Sequence, residues 1–192
     1  MENKLVKKRV TEHIDAANLL LEDEKLLSGI GALAQEIIKS LKNRGKLIVM
    51  GNGGSAADAQ HMAAEFTGRY LKEREPFAAI ALSTNSSSVT AIGNDYGFEN
   101  VFKRQVNALA GKSDVVLGIS TSGNSENVVK ALHEAKSIGA FTTAIVGTKK
   151  CKLDSVADLC IKAPGGSTPR IQEMHILIIH MVCEIVEQAM SG

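Results

Sequence analysis

His61 and Glu65 stand four residues apart in a stretch of helical composition, which puts both side chains on one face. An imidazole and a carboxylate so placed could share a metal ion, could move a proton as acid and base, or could stand as an exposed polar pair. A second set of such groups comes much later: Gln172, Glu173, His175 and His180. His180 is set among Ile176, Leu177, Ile178, Ile179, Met181 and Val182, the usual setting of a hydrogen-bonded core histidine. Gln172 and His180 lie roughly 12 Å apart along a straight helix and differ by about 80° in direction. Helix geometry pairs Glu173 with His180 more neatly, so spacing establishes no single metal site. His13 and His133 read as surface residues. Arg69, in Thr67-Gly68-Arg69-Tyr70, either reaches an anion or faces solvent.

Three short segments carry a different chemistry: Gly51-Asn52-Gly53-Gly54-Ser55, Ser83-Thr84-Asn85-Ser86-Ser87-Ser88 and Ser120-Thr121-Ser122-Gly123-Asn124-Ser125. Small residues let backbone N–H groups approach an anion, hydroxyls donate hydrogen bonds, and a following helix adds a favourable field. No Lys or Arg lies in the first or third segment, so dipoles rather than salt bridges would hold a phosphomonoester there. A dinucleotide fingerprint does not fit, because Gly51-x-Gly53-Gly54 is not G-x-G-x-x-G and no acidic residue follows at Ser83-Thr84. A Walker A loop would need Gly-Lys-Ser/Thr. Ordinary strand-to-helix turns capped by Ser, Thr and Asn remain the alternative.

Those segments matter only if the chain brings them to one place. Apolar positions Val6, Val10, Ile14, Ala17 and Leu21 predict a helix over 3–22, and Leu27 to Leu41 a second over 25–43, stopped by Gly45. Five apolar runs without alternation follow: 46–50, 77–82, 114–119, 142–146 and 159–162, as expected of strands covered on both faces. Helical stretches separate them at 55–67, about 86–109, 124–138 and about 151–157, and a last helix fills 169–190 with Thr168 as N-cap and Pro169 at its first turn. Alternating strands and helices predict an α/β fold around a parallel sheet, with ligands beyond the carboxyl ends of the strands. The two N-terminal helices have no obvious place on such a sheet and are expected at a subunit interface.

With 192 residues the chain suits one domain, and 44% apolar and 22% charged residues exclude a disordered or collagenous protein. A net charge of +1 gives no electrostatic case for binding nucleic acid or an anionic membrane, and 4% aromatics without Trp leave no base-stacking platform. Three cysteines without C-x-x-C spacing read as thiols of a reducing compartment. Residues 1–8 lack an apolar signal core, and the apolar run 176–183 is far too short to span a membrane, so a cytoplasmic location is expected.

The ordered set Gly51-Asn52-Gly53-Gly54-Ser55, His61-x-x-x-Glu65-x-Thr67-Gly68-Arg69, Gly93-Asn94-Asp95-x-Gly97-Phe98, Gly118 to Ser125 and Arg170-Ile171-Gln172-Glu173-x-His175 resembles the phosphoheptose isomerases of the sugar isomerase (SIS) superfamily. The resemblance runs over nearly the whole chain. It implies a flavodoxin-like three-layer sandwich with a five-stranded parallel sheet, one SIS domain over 1–192 with an oligomerising segment 1–45 and a core 46–192, and a homotetramer. The implied reaction interconverts sedoheptulose 7-phosphate and D-glycero-D-manno-heptose 7-phosphate, supplying heptose for lipopolysaccharide core. By the same resemblance, Glu65 and His180 act as the acid/base pair. Substrate is held by Asn52, Gly53, Gly54, Ser55, Glu65, Asn94, Asp95, Ser120, Thr121, Ser122, Ser125 and Gln172. One zinc ion per subunit is expected on His61, Glu65, Gln172 and His180. Pro169 stands where some members carry an acidic residue, so no role of that carboxylate transfers. Two other readings are an SIS protein that binds the replication initiator and a sugar-phosphate-sensing module. The first lacks a match to His180, so His61, Glu65 and His180 together favour the enzyme.

Overall fold

Uninterrupted apolar runs can be satisfied only between two layers of helix, and the chain builds that arrangement. The computed structural model describes residues 2–191. In chain order the elements are α1 (Glu2–Glu22), α2 (Glu24–Lys42), β1 (Leu47–Gly51), α3 (Gly54–Thr67), β2 (Ala79–Ala81), α4 (Ser86–Tyr96), α5 (Val101–Leu109), β3 (Val115–Ser120), α6 (Glu126–Ile138), β4 (Phe141–Gly147), β5 (Leu159–Ala163) and α7 (Thr168–Met190). All strands are parallel and lie in the order β2-β1-β3-β4-β5. This is the flavodoxin-like order, whose switch point falls between β1 and β3.

Alternate strand residues feed two cores. Leu47, Val49, Leu117 and Ile119 pack with α2, α3 and α7, while Ile48, Met50, Val116 and Val146 pack with α5 and α6. The second helix therefore does have a place on the sheet: Leu33, Ala34 and Ile37 of α2 are fully buried in the first core. Among the described residues, α1 alone keeps an apolar row in solvent, at Leu5, Val6, Val10, Ile14, Leu19 and Leu21.

Four local expectations need correction. The helix predicted over 86–109 is broken, because Gly97 at φ 85° ends α4 and a 3-10 turn, Phe98–Asn100, leads into α5. The segment expected as a helix over 151–157 is a 3-10 turn, Lys152–Ser155. Arg44, at φ 59°, takes the left-handed position after α2. Gly45 is required for another reason: a Cβ there would sit 2.2 Å from the Ser113 carbonyl oxygen. The N-cap of α7 is Ser167 rather than Thr168, and Pro169 follows in the first turn.

Candidate active site

The loop after β1 and the loop after β3 flank the switch point and open helices α3 and α6. Gly53 and Ser125 are the N-caps, and neither uses a side chain to cap its own helix. Ser55 and Ala56 donate their N–H groups to the Asn52 and Gly53 carbonyls and Val128 donates to Ser125 and Asn127, which leaves the Gly54, Glu126 and Asn127 N–H groups available to an anion. Ser125 instead bonds Ser120 between hydroxyls at 3.0 Å, and Ser120 accepts the Gly123 N–H at 3.1 Å. Asn52 and Asn127 exchange amide hydrogen bonds at 2.9 and 2.8 Å and tie the first loop to the start of α6. Ser55 and Ser120 are buried, Thr121 is half-buried and Ser122 is exposed.

The middle loop differs. Asn85 accepts the Ser88 N–H and caps α4, Thr84 donates to the Ala81 carbonyl, and Ser83 accepts from Gln60. The side chains of Ser83, Thr84 and Asn85 are thus engaged within the protein, while Ser86 and Ser87 are exposed. Asn94 and Asp95 sit exposed on the last turn of α4 and bond each other at 2.8 Å.

Helices α3 and α7 lie side by side on the same sheet face, and this brings the distant groups together. His61 Nε2 is 2.9 Å from Glu65 Oε1, with both side chains open to solvent at 43% and 23%. The His180 ring meets the His61 ring edge-on at 5.1 Å and the Tyr70 ring at 5.8 Å. Gln172 crosses the start of α3 so closely that a Cβ on Gly54 would fall 1.8 Å from its Nε2. A side chain at position 54 would have to displace the Gln172 amide. A cavity of about 320 Å³ between the two helices is lined by Asp58, His61, Gln172 and Glu173, among others. Larger hollows of about 360, 510 and 540 Å³ lie beneath the amino ends of β3 and β4, beside β2, and between α1 and the exits of β4 and β5, and none of them is lined by His61, Glu65 or His180.

The expectation of a core histidine at position 180 needs correction. His180 is only partly buried, whereas His175 is the core histidine, fully buried. Burial pushes its imidazole down to about 4, offset only in part by the Val146 backbone. Glu173 pairs with His13 at 2.8 Å and with Arg170, not with His180. His133 is exposed, and Arg69 faces solvent beside Glu73 at 3.7 Å.

The zinc expectation is not met. Among the described residues, no three His, Cys, Asp or Glu side chains converge where one ion could be held. His61 and Glu65 turn their polar atoms on each other, and Gln172 lies against Gly54. The expected set His61, Glu65, Gln172 and His180 is corrected accordingly.

Two residues were missed in the sequence. Asp58 is three residues before His61 and seven before Glu65, so it continues their stripe, a signal that spacing does carry. Its Oδ2 is buried without a hydrogen-bond partner, and burial raises its carboxyl against the pull of Gln172 and His61. Tyr70 lies beyond the end of α3, where no helical spacing could place it. Burial, with Cys183 and nearby carboxylates, pushes its phenol up.

The SIS domain family matches residues 12–147. A phosphoheptose isomerase of Helicobacter hepaticus is 51% identical over 183 residues, covering 95% of this chain and 92% of that one. The structure of a phosphoheptose isomerase from Neisseria gonorrhoeae superposes with a TM-score of 0.92 at 40% identity, covering 98% and 100% of the two chains. One from Francisella tularensis gives 0.93 at 33% identity, covering 98% and 99%. By sequence and by fold alike, the chain belongs to the phosphoheptose isomerases of the SIS domain family.

Proposed function

We propose that this chain is the ketose–aldose isomerase that converts sedoheptulose 7-phosphate to D-glycero-D-manno-heptose 7-phosphate, for cell-surface heptose such as that of lipopolysaccharide core. The observation that carries the reading is the meeting of His61 and Glu65 from α3 with His180 from α7, beside two helix N-termini left open to an anion.

The reaction moves one carbon-bound proton from C1 to C2 and one hydroxyl proton from O1 to O2. Glu65 takes the C1 proton, leaving an enediolate, and returns it to C2. His180 moves the oxygen proton. Well-placed groups of this kind contribute about 10²–10⁴-fold each. The phosphate, seven carbons along, sits on Asn52, Gly53, Gly54, Ser55, Ser120, Thr121, Ser122 and Ser125, so remote binding fixes the reacting end. Gln172 and the Asn94–Asp95 pair complete the substrate contacts.

The whole chain acts as one SIS domain in a cytoplasmic homotetramer, and the exposed row Val6, Val10, Ile14 and Leu21 of α1 supports a subunit contact there. Among the described residues no helix is long and apolar enough to cross a membrane. Incubation with sedoheptulose 7-phosphate, followed by detection of the aldose phosphate, tests the reading. Aldose formed in proportion to protein is the expected result, and no aldose at any protein concentration contradicts it.

A further inference from the structure

We propose that Tyr70 is a positioning residue for His180, its ring holding the imidazole where the oxygen proton must be exchanged; the proposal rests on the isomerase reading above. The need for such a residue is visible in the partners of His180. Among the described residues no hydrogen bond holds its imidazole, and its close neighbours are two rings, His61 at 5.1 Å and Tyr70 at 5.8 Å with a 34° tilt. A proton-transfer group left free to rotate loses the geometry that makes it effective.

Tyr70 is not carried by a helix, since α3 ends at Thr67. It is held from α7. The buried Glu187 carboxylate accepts the backbone N–H groups of Tyr70, Leu71 and Lys72 at 2.9, 2.8 and 2.9 Å, and that of the Arg74 Nε at 3.0 Å. Glu187 follows His180 by two helical turns, so both stand on one face of α7. One helix thus carries the imidazole and also the anchor for the ring beside it. Arg74 closes the circuit by donating to the Glu65 carbonyl at 2.7 Å, which ties the same loop to the helix turn that bears the base. The loop turns Tyr70 inward while its neighbour Leu71 is 62% exposed.

Tyr70→Phe, Tyr70→Ala and Leu71→Ala, assayed with sedoheptulose 7-phosphate, test this. Tyr70→Ala is expected to lower kcat by up to about 10²-fold with KM little changed, as a displaced reacting group does. Tyr70→Phe, which keeps the ring, and Leu71→Ala stay near the parent in both constants. The NMR shifts of the His180 ring protons give a readout independent of turnover. They move when the Tyr70 ring current is lost in Tyr70→Ala and stay in Tyr70→Phe. Unmoved shifts in Tyr70→Ala, a parental kcat there, or an equal loss in Tyr70→Phe would overturn the proposal. A parent protein without turnover would instead overturn the isomerase reading, and the shifts would still decide the position of the ring.

Discussion

Glu65 and Glu187 sit at one interface, between α3 with its following loop and α7, and they are used in opposite ways. Glu187 is 2% exposed and receives four N–H donors. Burial alone would raise its carboxyl, yet the backbone donors and Arg74 outweigh burial and hold it below the usual carboxylate range. Glu65 is part open to solvent and its side chain has one partner, His61. A carboxylate whose every lone pair is taken can only brace. One with lone pairs left over can accept a proton from a substrate. A contrast of burial alone separates His175, whose ring nitrogens are buried, from the partly open His180, five residues apart on α7 and about 140° apart around it.

The largest stability effect is expected at Glu187. Glu187→Gln would aim an amide at backbone N–H groups and unpair the buried Arg74, costing about 3–5 kcal/mol in denaturant unfolding at pH 7. Because the folded carboxyl lies below its unfolded value of 4.5, its stabilisation is complete above that pH and fades as pH falls below it. The gap between parent and variant should therefore narrow in acid; a gap that stays constant down to pH 3 would show that charge is not what Glu187 contributes.

A smaller and opposite effect is expected at His175. Its imidazole titrates near 4 when folded and near 6.5 when unfolded, so the parent loses up to about 3 kcal/mol as pH drops through that window. His175→Leu removes the titrating group. Its melting temperature should equal the parent's within a few degrees at pH 7 and exceed it at pH 4.5. Equal pH dependence in the two proteins would place the acid sensitivity elsewhere.

Much of this architecture is legible in the chain. The strands announce themselves because runs such as Leu47–Met50 and Val115–Leu117 have no polar alternation, and the loops at the switch point are written in Gly and Ser. What spacing could not convey was facing. His180 has apolar neighbours in sequence, but the buried stripe of α7 runs through Met174, His175, Ile178, Ile179, Val182, Cys183 and Val186, and leaves His180 at its edge. The three hydroxyl loops look alike as strings, yet Asn85 caps its own helix and Ser125 does not. A zinc site on His61, Glu65, Gln172 and His180 came from resemblance alone, and the arrangement of these side chains does not bear it out. Tyr70 was out of reach because a buried carboxylate more than a hundred residues later sets its place.

The account stands on the claim that Glu65 and His180, one from each helix, move the protons. Its most direct test is kcat for sedoheptulose 7-phosphate in Glu65→Gln and in His180→Gln, with melting temperature as the check on folding. Each variant should lose at least about 10²-fold in kcat while remaining folded. Turnover near that of the parent in either folded variant would contradict the account.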